Sequence, residues 1–173
     1  GSLFYPQADR QQYLYLYGAG GEGKGAIVRL LADIFGRSFR SEDATMATNN
    51  RFWTAGLLGK RLVAFPDTNY ASFLRTGLLK SLTGGDAVRM ERKNQDSGSS
   101  KLTAKFMFVS NKIPDIGGES ADTRRIIYCP MLPQKLKHDP QYQEKLWEEA
   151  PTIISFCKAA YRQVCPTHGL IPV

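Results

Sequence analysis

Two residue types that often build metal sites are scarce in this sequence. Only three cysteines and two histidines occur among its 173 residues. Cys129, Cys157 and Cys165 show no C-x-x-C spacing, and neither His138 nor His168 is placed to complete a zinc site. We therefore expect no structural metal and a reducing compartment.

Long apolar runs are also absent. No stretch approaches the roughly 18 consecutive apolar residues of a membrane-spanning helix, and we find no secretory signal, internal repeat or low-complexity segment. We expect a soluble, cytoplasmic protein with no membrane partner. Gly1 and Ser2 are typical of an expression scar, which suggests a segment cut from a longer protein.

Acidic residues are outnumbered. There are 16 of them against 23 lysines and arginines, a formal net charge of +7. Such a charge attracts polyanions, although it can also serve solubility alone. At 173 residues and 42% hydrophobic content, the chain can bury one sizeable core. These figures favour a single domain with nucleic acid as its partner.

Glycines are concentrated just after an apolar run at 13–17. The run predicts a buried strand. After the glycines, apolar residues at helical spacing predict a helix over 26–35 that Gly36 ends. The turn between them fits the G-x-x-x-x-G-K part of the Walker A motif and supplies these candidate nucleotide contacts: Gly18, Gly20, Gly21, Gly23, Lys24, Gly25 and Ala26. Glycines let backbone N–H groups turn toward an anion, and Lys24 can reach terminal phosphates. Gly25 stands where Ser or Thr normally holds magnesium. The alternative is a plain tight turn with an exposed lysine.

A second apolar run, at 61–66, predicts a buried strand that ends in Asp67. A carboxylate delivered beside bound phosphates by such a strand can order magnesium and help to position the attacking water. The alternative is that Asp67 starts a turn or caps the next helix, predicted over 70–82.

Basic side chains recur between residues 87 and 105. A strand, a tip containing serine and glycine, and a returning strand predict a hairpin with four candidate nucleic-acid contacts: Arg89, Arg92, Lys93 and Lys101. Such an arm can lay cations on phosphates without reading bases. The alternative is a solvated loop with no specific role.

Polar residues flank two later apolar runs. Asn111 follows the predicted strand 106–109, where an amide can orient water or contact the γ-phosphate, or can serve only an ordinary turn. Arg124 and Arg125 precede the run 126–129 and are either surface charges or fingers that reach a neighbouring subunit.

Taken in order, these motifs resemble those of the superfamily 3 helicases, most closely the helicase domain of phage, plasmid and poxvirus-type primase-helicases. The resemblance spans 11–131 and includes the glycine loop, 59–67, 83–86, 110–114 and 124–127. It implies an α/β fold of the AAA+ type, with a mostly parallel sheet flanked by helices. It also implies a homo-hexameric ring with nucleotide at the subunit boundaries.

The resemblance implies ATP and Mg²⁺ as cofactors and single-stranded DNA as the partner, with a primase fused or associated. By the same likeness, Lys24 is the Walker A lysine, Asp67 the Walker B acid and metal ligand, Asn111 the sensor, and Arg124 or Arg125 the finger. The hairpin tracks the single strand. The implied function is an ATP-dependent helicase or translocase in the replication of a phage, plasmid or other mobile element.

Two departures from the family pattern bear on activity. They are Gly25 and the single acid Asp67, where many relatives place two adjacent acids. Both changes are more compatible with nucleotide binding than with rapid hydrolysis. The alternatives are therefore a non-catalytic nucleotide-binding ring subunit and, from another class, a P-loop phosphotransferase that acts on a small molecule.

We expect three parts in the chain: a flank over residues 1–10, an ATPase core over 11–131 and a C-terminal helical segment with a tail over 132–173. Further helices are predicted at 48–58, 139–149 and 152–164. The last two are interpreted as a helical lid or packing layer.

Overall fold

The structure, a computed structural model, describes residues 3, 11–66, 71–74, 76–91, 93, 97–113, 124–133 and 139–168. Its strands are β1 (Tyr13–Tyr17), β2 (Phe39–Ser41), β3 (Leu62–Phe65), β4 (Ala87–Met90), β5 (Gly98–Lys101), β6 (Lys105–Ser110) and β7 (Ile126–Pro130). Its α-helices are α1 (Lys24–Phe35), α2 (Ala44–Asn49), α3 (Ala71–Leu74), α4 (Gly77–Gly84), α5 (Tyr142–Glu148) and α6 (Ala150–His168). No helix in these ranges combines the length and apolar character needed to cross a membrane.

Five strands form one parallel sheet in the order β2-β3-β6-β1-β7. The apolar runs that predicted the central strands are buried, as expected for parallel strands covered on both faces. Because every strand runs the same way, the segments that follow β1 and β6 leave the sheet at the same edge. The predicted mostly parallel α/β sheet flanked by helices is confirmed.

Aromatic packing fixes the centre of the sheet. On one face, Phe65 of β3 and Phe108 of β6 stack with ring centroids 4.7 Å apart, and Phe73 and Trp53 pack against Phe65. The opposite face buries Val28 of α1 among aliphatic side chains of the strands. Interiors of this kind resist small displacements, so the ends of β1 and β6 form a rigid platform.

The predicted hairpin is confirmed. Strands β4 and β5 pair antiparallel outside the main sheet, in a register that places Ala87 opposite Lys101 and Arg89 opposite Ser99. Val88 and Met90 are buried, whereas Arg89 between them is exposed. This alternation anchors one face of the hairpin in the core and leaves the other face free for contacts.

The prediction of a helix over 48–58 was wrong. Helix α2 begins earlier, because the Asp43 side chain accepts a hydrogen bond from the Thr45 N–H at 2.7 Å. It ends at Asn49, because Asn50 leaves the helical conformation and its side chain accepts from the Phe52 N–H at 2.9 Å. In the described residues, the segment predicted as one helix over 70–82 forms two separate helices, α3 and α4.

Candidate nucleotide-binding site

The glycine loop lies between the carboxyl end of β1 and the first residue of α1. Gly20, Gly21 and Gly23 have φ values of 138°, 73° and 85°, a region that other residues rarely adopt. The Gly18 N–H donates to the Ser110 carbonyl at 3.3 Å, which ties the loop to the end of β6. The loop therefore has the backbone freedom and the helix N-terminus of a phosphate site.

Lys24 is the first residue of α1 and points back across the loop. Its Nζ donates to the Gly18 carbonyl at 2.7 Å, and the residue is only 8% exposed. The alternative interpretation, a tight turn with an exposed lysine, was therefore wrong. The N-terminal end of the α1 dipole and the ammonium would act on an anion in the same direction.

Glu22 is the unexpected member of the loop. Its carboxylate accepts from the Ala19 N–H at 3.1 Å and lies 3.4 Å from Lys24 Nζ, and its side chain is 3% exposed. The motif treats this position as arbitrary, so sequence reasoning missed it. The sequence did contain one indication of its role, a single acidic residue within a loop that is predicted to bind anions.

A pocket of about 600 Å³ opens in front of the loop, a volume in the range of small-ligand and cofactor sites. Its walls combine the loop with side chains from three other segments: Arg29, Asn111, Asp139 and Tyr142. Asn111 thus shares the pocket with Lys24, because Ser110 pairs with Tyr17 at the ends of β6 and β1. Sequence reasoning did not find Arg29, Asp139 or Tyr142 as lining residues.

Helix α5 and the residues just before it close one side of this pocket. Arg29 Nε of α1 donates to Gln143 Oε1 of α5 at 3.3 Å. Asp139, just before α5, accepts from the Gln141 N–H at 2.9 Å and from Lys145 Nζ at 2.8 Å. These contacts hold Tyr142 at the rim, so the segment interpreted as a lid or packing layer does contribute to the pocket wall.

Tyr15 supports the pocket from behind. Its hydroxyl donates to the Lys112 carbonyl at 3.1 Å, next to Asn111 in the chain. Burial raises the pKa of the Tyr15 phenol, and a hydrogen bond with Ser110 partly opposes the effect. The phenol is therefore a neutral donor at physiological pH and helps to fix the backbone that carries Asn111.

Two positions bear on the predicted magnesium site. Gly25 offers no side-chain oxygen, and Asp67, the predicted magnesium ligand, lies outside the described residues. Within the described ranges, no group of three His, Cys, Asp or Glu side chains is arranged to hold a metal ion. The groups that the structure describes around the loop, the Lys24 ammonium and the N–H groups at the start of α1, are of the kind that bind phosphates.

Arg124 and Arg125 lie at the opposite edge of the sheet. The Tyr13 N–H donates to the Arg125 carbonyl at 2.8 Å, at the start of β1, whereas the loop follows the end of β1. At about 3.3 Å per strand residue, roughly 20 Å separates this edge from the loop. The structure does not bring these arginines to the pocket of their own chain.

The two arginines have different surroundings. Arg124 is exposed. Arg125 is partly buried, and its Nη1 donates to Thr83 Oγ1 of α4 at 3.3 Å. Of these two arginines, Arg124 is the one whose guanidinium is open to another molecule.

Three of the four predicted hairpin cations are described, and all three are exposed: Arg89, Lys93 and Lys101. Arg92 lies outside the described residues. Glu91 reduces the local charge, because its carboxylate lies 3.3 Å from Arg89 Nε and 3.7 Å from Arg51 Nε. The lysines therefore carry most of the uncompensated charge in the described part of the hairpin.

Comparison with known proteins places the chain beside helicases. It is 24% identical over 149 residues to the protein named "Putative helicase L207/L206" of Acanthamoeba polyphaga mimivirus, over 82% of this chain and 16% of that protein. The solved C-terminal region of NrS-1 matches with a TM-score of 0.65 at 22% identity, over 83% of this chain and 36% of that one. The solved JCV helicase matches with a TM-score of 0.56 at 17% identity, over 84% and 41%.

These likenesses confirm an AAA+-type fold shared with helicase domains. The chain spans less than half the length of each of these relatives. A family model, described as "Family of unknown function (DUF5906)", matches residues 16–125, well over half of the chain. The chain therefore belongs to the DUF5906 family.

Proposed function

We propose that this chain is the ATP-hydrolysing domain of a helicase or translocase that acts on single-stranded DNA in the replication of a phage, plasmid or other mobile element. The observation that carries the proposal is the convergence of a buried Lys24, three positive-φ glycines and Asn111 on one pocket. The resemblance to superfamily 3 helicases and the helicase names of the relatives support it.

In the proposed reaction, Lys24 neutralises charge on the β- and γ-phosphates, and the backbone N–H groups at the start of α1 hold the phosphate chain. Asn111 orients the attacking water or contacts the γ-phosphate. Asp67 is proposed to hold magnesium, which supplies charge neutralisation and orients the phosphates when bound.

The position of Arg124 and Arg125 supports a ring. Because both lie roughly 20 Å from the loop of their own chain, and only the Arg124 guanidinium is open, Arg124 can serve catalysis only at the pocket of a neighbouring subunit. We therefore propose a homo-hexamer in which each pocket is completed in trans, with the hairpin of each subunit directed at the DNA strand and with a primase fused or associated.

The decisive measurement is the rate of ATP hydrolysis with and without single-stranded DNA, together with nucleotide affinity. We expect ATP binding and a turnover that DNA stimulates. Binding without turnover would instead support a non-catalytic ring subunit, which Gly25 favours. ATP turnover that DNA does not change, with transfer of the phosphate to a small acceptor molecule, would support a phosphotransferase.

The Gly25→Ser variant tests the magnesium account. A carbon added at Gly25 meets only Arg29 Nη1, at 3.4 Å, so a serine fits. Its hydroxyl restores a magnesium ligand, and we expect the magnesium needed for half-maximal turnover to fall by about threefold to tenfold. A magnesium titration of ATP hydrolysis measures the effect. Gly25→Ala is the control, because it also replaces glycine by a residue of higher helix propensity but adds no oxygen; equal behaviour of the two variants would remove this account of Gly25.

Replacing Arg89, Lys93 and Lys101 together by alanine tests the hairpin. Each phosphate neutralised on a single strand contributes about −0.7 to the salt slope, so the slope should flatten by roughly two units. Binding should weaken about equally for all sequences, while ATP affinity is unchanged. Fluorescence anisotropy across a salt series measures this.

The matched control for the hairpin variant replaces Arg37, Lys158 and Arg162, which are exposed and lie outside both hairpin and pocket. An equal loss of DNA affinity in the control would mean diffuse attraction to a basic protein. Wild-type affinity in the hairpin variant would contradict the proposed role of the hairpin.

A further inference from the structure

The side chain of Glu22 is folded into the interior of the phosphate loop. A carbon added at Gly18 would lie 1.8 Å from Glu22 Oε2, so the carboxylate rests directly against the Gly18 backbone. From there it accepts from the Ala19 N–H at 3.1 Å and pairs with Lys24 Nζ at 3.4 Å. The carboxylate thus contacts the same ammonium that a bound phosphate requires.

The charges of this pair cancel. Lys24 and Glu22 have side chains that are 8% and 3% exposed, so solvent screens their interaction little. A buried lysine needs a counter-charge, and Glu22 supplies it. The loop therefore offers an incoming phosphate a neutral ion pair and not a free cation, and the phosphate also meets the negative charge of Glu22.

We propose that Glu22 competes with nucleotide phosphates for Lys24 and thereby sets the phosphate affinity of the loop. The inference rests on the proposed nucleotide-binding function. A phosphate must draw the ammonium away from the carboxylate or displace the carboxylate from the loop. The loop tip has room for this change, because added carbons at Gly20 and Gly21 meet no atom within 4 Å.

The competition favours polyphosphates over single phosphates. A ligand with several linked phosphates gains further contacts with backbone N–H groups, which offset the lost Lys24–Glu22 pair. A lone phosphate gains fewer such contacts. Glu22 is therefore a specificity-determining residue that disfavours occupation of the loop by inorganic phosphate.

The test compares wild type with Glu22→Gln in calorimetric titrations with inorganic pyrophosphate and, separately, with ATP. Glutamine keeps an oxygen for the Ala19 N–H and removes the charge. Because charged hydrogen bonds differ from neutral ones by enough to change binding about tenfold, we expect Glu22→Gln to bind pyrophosphate about tenfold more tightly. Inorganic phosphate should bind wild type weakly, and its affinity should rise in Glu22→Gln by at least the same factor.

Asp33→Asn is the matched control, because Asp33 is an exposed acid of α1 that does not line the pocket. It should leave both affinities unchanged. If Glu22→Gln does not melt cooperatively, Glu22→Ala is measured against the same expectation. An affinity for pyrophosphate equal to or below that of wild type in the folded variant overturns the inference. Tighter pyrophosphate binding with no ATP binding by either protein would leave the inference standing and reject the proposed function.

Discussion

Lys24→Ala should lose ATP binding by a factor of about 10² to 10³ and show no measurable hydrolysis. Charged hydrogen bonds contribute about 1.5–3 kcal/mol each, and the lysine is proposed to contact two phosphates. Nucleotide affinity by calorimetry and phosphate release over time measure the two effects. Lys158→Ala, which removes an exposed lysine of α6 far from the pocket in sequence, is the control and should behave as wild type.

Loss of folding could imitate this result, because Lys24→Ala leaves the Glu22 carboxylate buried without its ion-pair partner. We expect the free energy of unfolding to fall by roughly 1–3 kcal/mol. The double variant Glu22→Gln, Lys24→Met removes both charges and should recover most of that stability without recovering ATP binding. If the double variant binds ATP as wild type does, Lys24 is not the phosphate ligand.

The architecture of the loop could be predicted because its determinants are local. An apolar run, a set of glycines and a helical period are each visible over a few residues, and the structure has β1, the loop and α1 where the pattern indicated. The proximity of Asn111 followed from a topological rule, since parallel strands end at one edge of the sheet.

The parts that could not be predicted depend on contacts distant in sequence or on competing local bonds. Tyr142 joins the pocket only through the packing of α5 on α1, which the Arg29–Gln143 hydrogen bond holds. The helix expected over 48–58 fails because Asn50 bonds to the Phe52 N–H and breaks the helical period set by the apolar residues. The burial of Glu22 depends on its contacts with the Ala19 N–H and Lys24 Nζ in the folded loop, which the motif does not indicate.

The surroundings of the two arginines yield the second large prediction. Arg125 is engaged by Thr83 within its own chain, so it is suited to positioning the segment before β7. Arg124 is exposed, so it is the arginine that can act as the proposed finger at the pocket of a neighbouring subunit. We therefore expect Arg124→Ala to cut ATP turnover by a factor on the order of 10³ while changing ATP affinity little, as for other arginine fingers supplied in trans.

Arg125→Ala should instead lower stability, because Thr83 Oγ1 on α4 loses the hydrogen bond that it accepts from Arg125, and should reduce turnover less than Arg124→Ala does. Thermal melts and steady-state kinetics on assembled rings separate the two arginines.

Mixing Arg124→Ala subunits with Lys24→Ala subunits then gives the sharper test. At one of the two hybrid interfaces an intact Lys24 pocket faces an intact Arg124, so part of the turnover should return although neither parent is active. An Arg124→Ala ring with wild-type turnover, or mixtures that stay inactive while co-assembling, would contradict a finger at Arg124.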